Sequence, residues 1–300
     1  MKRIKITYTM TAPVSHIGET ASTGSYFQTV ATAYGRLPVI TGNSVRGILR
    51  DCAALHFMTA YGSPVNRDIF NVLFSGGNIT GAAENDVGRA KQVREHFPMI
   101  SLFGAGLGSM MMSGNLISGF LYPICLEAEP ITGIGSEISW HDLIEEIEFT
   151  RMDDGKEDKN EKYLDDPAAE KSAKASTQMR FGVQYMAPGT KFIQEIILAD
   201  GVTELEEGAF WAAVAKWFEI PAIGGMRAKG FGKFNAVSDE ISVTDGVITM
   251  SDRVNELIAK YNDFLYSDTP SEWIYLLDGN EKKGAKKNGK RAVPSAESDG

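Results

Sequence analysis

Two cysteines in 300 residues, Cys52 and Cys125, are too few and too far apart to form a disulfide framework. Each sits among apolar neighbours and reads as a small core side chain in a reducing compartment. No stretch approaches the roughly 20 apolar residues of a membrane span. The opening MKRIKITYTM has no apolar run of signal length, so the sequence points to a cytoplasmic protein with no membrane partner. Histidine is scarce too. His56, His96 and His141 form no constellation, no Cys or His pair has ligand spacing, and neither a metal nor another cofactor is expected. Acids are missing from two places: residues 1–50 hold six bases against the single acid Glu19, and residues 221–234 hold three bases and no acid. The formal net charge of -9 arises elsewhere, since residues 142–170 carry twelve acids against four bases. An acidic total therefore does not exclude a basic groove.

What is present is the composition of a soluble globular protein, 43% hydrophobic and 10% aromatic. Residues 3–12 alternate, Ile4, Ile6, Tyr8 and Met10 against Arg3, Lys5, Thr7 and Thr9, which predicts a half-buried strand. Residues 13–40 have no sustained period and read as a long loop. The run TGNSVRGILRDCAALHFMTA then takes helical spacing, with Val45, Ile48, Leu49, Cys52 and Leu55 on one stripe and Arg46 and Arg50 on another face. Residues of about 62–112 read as a helical and loop insertion ending in the triple Met110–Met112, a packing element. Residues 115–129 read as one long strand and 189–199 as another. Thr203 and Glu206 form a capping box before a helix with an apolar stripe of Phe210, Trp211, Val214, Trp217 and Phe218. A glycine-rich loop follows, then a strand over 231–237. The order is that of a split βαββαβ: an α+β, ferredoxin-like or RRM-like domain over 1–277 with large insertions, followed by a basic tail, 278–300, expected to be disordered.

The segment IPAIGGMRAKGFGKF, residues 220–234, is the most distinctive stretch. A phosphate-binding P-loop requires Lys where Phe231 stands, a strand before it and a helix after it; here the order is reversed. GAGLGS at 104–109 lacks the third glycine of a dinucleotide-binding turn. Two readings of 220–234 remain on residue chemistry alone: a tight surface turn, or a loop whose bare backbone, Arg227 and Lys229 approach an anion closely.

The pair ITGNSVRGILRD and GGMRAKGFGKF, with SLFG and RMDDG…FGVQYMAPGTKF in order between them, resembles the RAMP superfamily of CRISPR proteins over residues 4–240. Among these the chain looks most like the guide-RNA-binding backbone subunit of class 1 effectors, type IV first and type III next. The resemblance implies an RRM-like palm, a thumb hairpin at about 139–188, and self-assembly into a helical filament along guide RNA. Its further partners would be a large subunit, an end-cap RAMP subunit, a guide-processing RNase and a target strand paired with the guide. It implies RNA contacts from His16, from Asn43, Ser44, Arg46 and Arg50 at the first helix, and from Gly225, Met226, Arg227, Lys229 and Gly230 in the loop. Thr150, Arg151, Met152, Met179, Arg180 and Phe181 would flank the thumb, or be an ordinary strand pair bordering an acidic loop.

The type III relatives that cut RNA carry an aspartate between the first strand and first helix, where this chain has only Glu19. A lone carboxylate is a poor magnesium site, so no catalytic residue is expected. Two alternatives stay open: an RNase using His16 and Glu19 as an acid-base pair, and a protein-interaction domain that binds no RNA.

Overall fold

The computed structural model describes residues 1–21, 24–79, 87–108, 110–151, 179–267 and 269–278. Its main sheet grows from the strand Lys2–Met10, where Ile4, Ile6, Tyr8 and Met10 are buried as the alternation requires. Lys191–Leu198 pairs antiparallel along one side of it and Phe234–Val237 along the other. Beyond Lys191–Leu198 lie two short antiparallel pieces, Leu116–Ser118 and Tyr122–Pro123. In chain order the sheet reads second, third, first, fourth, which is the arrangement of a split βαββαβ. The helices Gly42–Tyr61 and Glu204–Phe218 are its two crossovers.

The capping box of the second helix forms as read. The Thr203 hydroxyl accepts from Glu206 N–H at 3.2 Å, and Glu206 Oε2 accepts from Thr203 N–H at 2.7 Å. Phe210, Trp211, Val214, Trp217 and Phe218 are all buried, and Trp217 and Phe218 meet Phe234 edge-on. Each such ring contributes on the order of 1.5–3 kcal/mol when removed from water. The first helix departs from its predicted stripe. Val45, Leu49, Ala53 and Phe57 are buried together with Arg50, whereas Leu55 is 50% exposed.

Two further expectations need correction. The stretch 115–129 is not one strand: Ser118 faces Ile196 but Tyr122 faces Ile193, four steps against three, so the edge bulges. Gln194 bridges the bulge, donating to Ser118 Oγ and Gly119 O and accepting from buried Tyr8 Oη at 2.9 Å. The stretch 13–40 is not a loop but two hairpins, Ile17–Ala21 with Gly24–Phe27 and Thr29–Thr32 with Gly35–Pro38. The first joins a second sheet through parallel pairing of Gly24–Phe27 with Met179–Met186, itself antiparallel to Ile144–Arg151. Beyond residue 237 the sequence reading assigned no element. A hairpin, Ile241–Thr244 and Val247–Met250, extends the main sheet, and helix Asp252–Leu265 packs Val254, Leu257, Tyr261 and Leu265 against Glu204–Phe218.

Between the first helix and the bulged edge, helices Arg67–Ser75, Val87–His96 and Pro98–Phe103 accompany a small sheet that includes Met110–Met112. Its alternation buries Met110 and Met112 and exposes Met111. Among the described residues no helix is long and apolar enough to cross a membrane. Residues 279–300, expected to be a disordered tail, and residues 152–178 of the expected thumb lie outside the described residues.

Candidate nucleic-acid interface

The face of the main sheet opposite its helices carries Arg3, Lys5, Thr7 and Thr9 on the first strand and Lys191, Ile193 and Glu195 on its neighbour. The aromatic residues of these two strands, Tyr8 and Phe192, point into the core. Base stacking on a sheet face, the RRM mode, needs aromatics on the open side of such strands. These two strands lack the equipment for that mode.

Four consecutive residues after the first strand organise the loop end of the sheet. Pro13 O accepts from Gly232 N–H at 2.7 Å, and Val14 exchanges backbone bonds with Met186 at 2.8 and 3.0 Å. Ser15 O accepts from Gly225 N–H at 2.7 Å. His16 Nε2 accepts from Thr41 N–H at 3.2 Å, with the Thr41 hydroxyl at 3.3 Å. One short segment thus anchors the glycine loop, the second sheet and the entry of the first helix. The Thr41 hydroxyl is drawn toward His16 and makes no side-chain cap on its own helix. Burial lowers the His16 pKa, consistent with a neutral ring whose Nε2 accepts.

The glycine loop owes its shape to left-handed backbone. Gly224, Met226, Gly230 and Gly232 have φ of 82°, 58°, 87° and 81°, and Arg227–Lys229 make a single 3-10 turn. A Cβ at Gly232 would lie 1.9 Å from Ile223 O, and one at Gly224 2.4 Å from Ser15 O. Gly224 is required for close backbone approach to the anchor segment, and Gly232 for close approach to Ile223 across the base of the loop. Gly230 is different, because nothing lies within 4 Å of the Cβ position. Met226 is the non-glycine exception and carries backbone strain in the middle of the loop.

This backbone holds Arg227, Ala228, Lys229 and Gly230 out in solvent. Lys229 Nζ lies 4.5 Å from the centroid of the Phe149 ring, which in turn meets Phe231 at 6.2 Å; Tyr185 meets Phe231 edge-on at 6.1 Å. The loop therefore leans on the strand pair 144–151 and 179–186. Burial raises the pKa of Asp51 on the first helix, and the charge of Arg227 acts in the opposite direction. Among the described residues no carboxylate lies within ion-pair distance of Arg227.

The other expected contact residues divide. Asn43 is exposed and Ser44 half-buried in the first turn of the first helix, two residues from the His16 contact. Arg46 and Arg50 do not join that surface. Both guanidiniums turn to the carbonyl of Phe103; Arg50 NH2 reaches Phe103 O at 2.7 Å and Gly104 O at 3.1 Å. Arg50 is 8% exposed, and burial, aided by Arg46, pushes its pKa down to about 10. It is a cation that fastens the end of helix Pro98–Phe103 to the first helix. Thr150, Arg151, Met179, Arg180 and Phe181 sit at the far end of the strand pair, with Phe149 opposite Phe181, Thr150 opposite Arg180 and Arg151 opposite Met179; Met152 lies outside the described residues. Glu19 is exposed on Ile17–Ala21, and no bond joins it to His16 among the described residues. No cluster of three or more metal-ligating side chains occurs among the described residues.

Sequence reasoning missed the anchor Pro13–His16 and the supporting ring of Phe149. The first uses backbone atoms, which leave no sequence signature; the second was visible only as one aromatic in an acidic strand.

Sheet order, crossovers and the loop after the second helix define a ferredoxin-like α+β protein. Residues 7–235 match the model of the RAMP superfamily, and the chain belongs to that superfamily. In fold it is similar to a chain of a type IV-B CRISPR complex, with 18% sequence identity and a TM-score of 0.59 over 83% of this chain and 93% of that one. No curated protein matches the chain.

Proposed function

We propose that this protein is a non-catalytic, repeating backbone subunit of a CRISPR effector. In this role it binds single-stranded guide RNA with little regard to sequence, assembles with copies of itself along the RNA, and meets other effector subunits at the ends of that array. The observation that carries the reading is the exposed turn Arg227–Lys229, held out by left-handed residues on both sides, with no carboxylate within ion-pair distance of Arg227 among the described residues. Such a turn presents two cations to a phosphate chain without a base-reading edge. Asn43 and Ser44 lie in the first turn of a 20-residue helix, whose N-terminal end favours phosphate. We assign the strand pair that carries Thr150, Arg151, Met179, Arg180 and Phe181 as the base of a thumb. A role for His16 and Glu19 in cleavage is disfavoured, because the His16 acceptor nitrogen already holds the first helix. The same bond makes His16 a support for the RNA surface.

The test is purification of the protein from cells expressing a CRISPR transcript, followed by nuclease digestion and sizing of what survives. Protected RNA in particles larger than a monomer supports the reading; a nucleic-acid-free monomer contradicts it.

A further inference from the structure

Two surfaces at opposite edges of the main sheet flank the proposed RNA contacts, and the second shares Arg227 with them. One is a lobe, residues 126–142, that follows the outer strand piece Tyr122–Pro123. It has a small core of its own, Leu37, Cys125 and Ala128 packed by Tyr122, Trp140 and Leu143. Glu127 braces it: its carboxylate accepts from Ser139 Oγ and from Trp140 N–H at 3.0 Å, and Leu126 N–H donates to Ile138 O at 2.8 Å. The bracing leaves Leu126 and Ile138, each 52% exposed, and the less exposed Ile131 and Ile134 facing outward. Residues 126–142 contain four acids and no Lys or Arg. Glu127 is committed internally, while Glu129, Glu137 and Asp142 are exposed. A rigid, acidic knob with four outward aliphatic side chains is unusual on a solvated surface.

The other surface is a cleft of about 540 Å³. It lies between the end of helix Glu204–Phe218, the glycine loop and the turn Asp245–Gly246, on the side of the sheet's fourth strand. Pro221, Phe231 and Phe234 line it, Ile220 stands at its rim 80% exposed, and Arg227 and Lys233 supply positive charge. Its two acids are occupied: Glu219 binds Lys216 at 2.6 Å, and Asp245 accepts from Asn235 Nδ2 at 3.3 Å.

We infer that the cleft receives the 126–142 lobe of a second copy of this chain. Apolar surface meets apolar surface, and a segment with four acids and no base meets a loop with three bases and no acid. Because knob and cleft are different patches, the contact is heterologous and leaves one of each free at the ends of every pair. It propagates an array without needing RNA to bridge the copies. The lobe is preformed by Glu127, so little ordering cost opposes docking. The inference rests on the proposed self-assembly and names the protein surfaces that would carry it.

The experiment uses two full-length proteins in a Cys52→Ser background, one with Ile138→Cys in the knob and one with Ile220→Cys at the cleft rim, treated with a short bis-maleimide. Cross-linked dimer from the mixture and not from either protein alone is the expected result. No mixed dimer, with both proteins shown to be folded by circular dichroism, overturns the inference. A companion pair, Ile134→Asp with Ile138→Asp, should bind an RNA that holds one copy with unchanged affinity. On an RNA that holds several copies it should lose at least tenfold in apparent affinity; an unchanged affinity there also overturns the inference. If the unmodified protein binds neither RNA, the RNA reading fails while the cross-link remains readable.

Discussion

The glycine loop makes a sharp prediction because two of its glycines have the same backbone angle and different surroundings. Gly230 and Gly232 have φ of 87° and 81°. An alanine at either position must adopt the left-handed conformation at a cost of about 1–2 kcal/mol. At Gly230 that is the whole effect, because the Cβ position is open. At Gly232 the Cβ would sit 1.9 Å from Ile223 O, so the backbone must move. The bonds at stake are Ile223 N–H to Gly232 O at 3.0 Å and Gly232 N–H to Pro13 O at 2.7 Å. Each is worth about 0.5–1.5 kcal/mol. Gly232→Ala should therefore cost about 3–4 kcal/mol, a large part of the 5–15 kcal/mol that holds a typical domain together. Gly230→Ala should cost less than half as much. Urea unfolding followed by tryptophan fluorescence gives both values. Equal destabilisation by the two substitutions would refute the claim that Gly232 is needed for the close backbone approach to Ile223.

Three other substitutions probe the supports of the site. His16 has a folded pKa below its ordinary 6.5 because it is buried; its contribution is full above about 6.5 and is lost as pH falls through the depressed value, so thermal melts between pH 8 and 5 should show a decline that His16→Gln removes. Gln194→Leu leaves Tyr8 Oη and Gly119 O without partners and should destabilise by about 2–4 kcal/mol, more than Tyr8→Phe, in the same urea assay. Arg50→Met removes the bonds to Phe103 and Gly104 and should cost about 2–3 kcal/mol in stability, while RNA affinity at a temperature where the variant is folded stays within about twofold, because Arg50 is turned away from the loop.

Period and punctuation made much of the frame legible. Alternation at Ile4 to Met10 found the first strand, and Thr203 with Glu206 found the start of the second crossover helix to the residue. Features made by backbone pairing stayed hidden. Ile17–Ala21 and Gly24–Phe27 have little apolar alternation, since they are held by Met179–Met186 more than by a buried face. The bulge at Gly119 depends on a glutamine 75 residues away. Arg46 and Arg50 look alike in sequence to any surface pair four apart, and only the position of the Phe103 carbonyl decides that they turn inward. By contrast, Ser251 followed by Val254, Leu257, Tyr261 and Leu265 carries a cap and a helical stripe, a signal that was present and not used. In the candidate site, charge identified Arg227 and Lys229 correctly as exposed, whereas their shared seat on Pro13–His16 required the fold.

The most direct test of the account compares RNA binding by the unmodified protein with that of Arg227→Ala/Lys229→Ala, by fluorescence anisotropy on a single-stranded RNA across a range of salt concentrations. Loss of two phosphate contacts should weaken binding roughly tenfold or more and reduce the slope of log affinity against log salt by about 1.4. Binding that keeps both its strength and its salt slope after that double substitution would contradict the assignment of the loop to the RNA backbone.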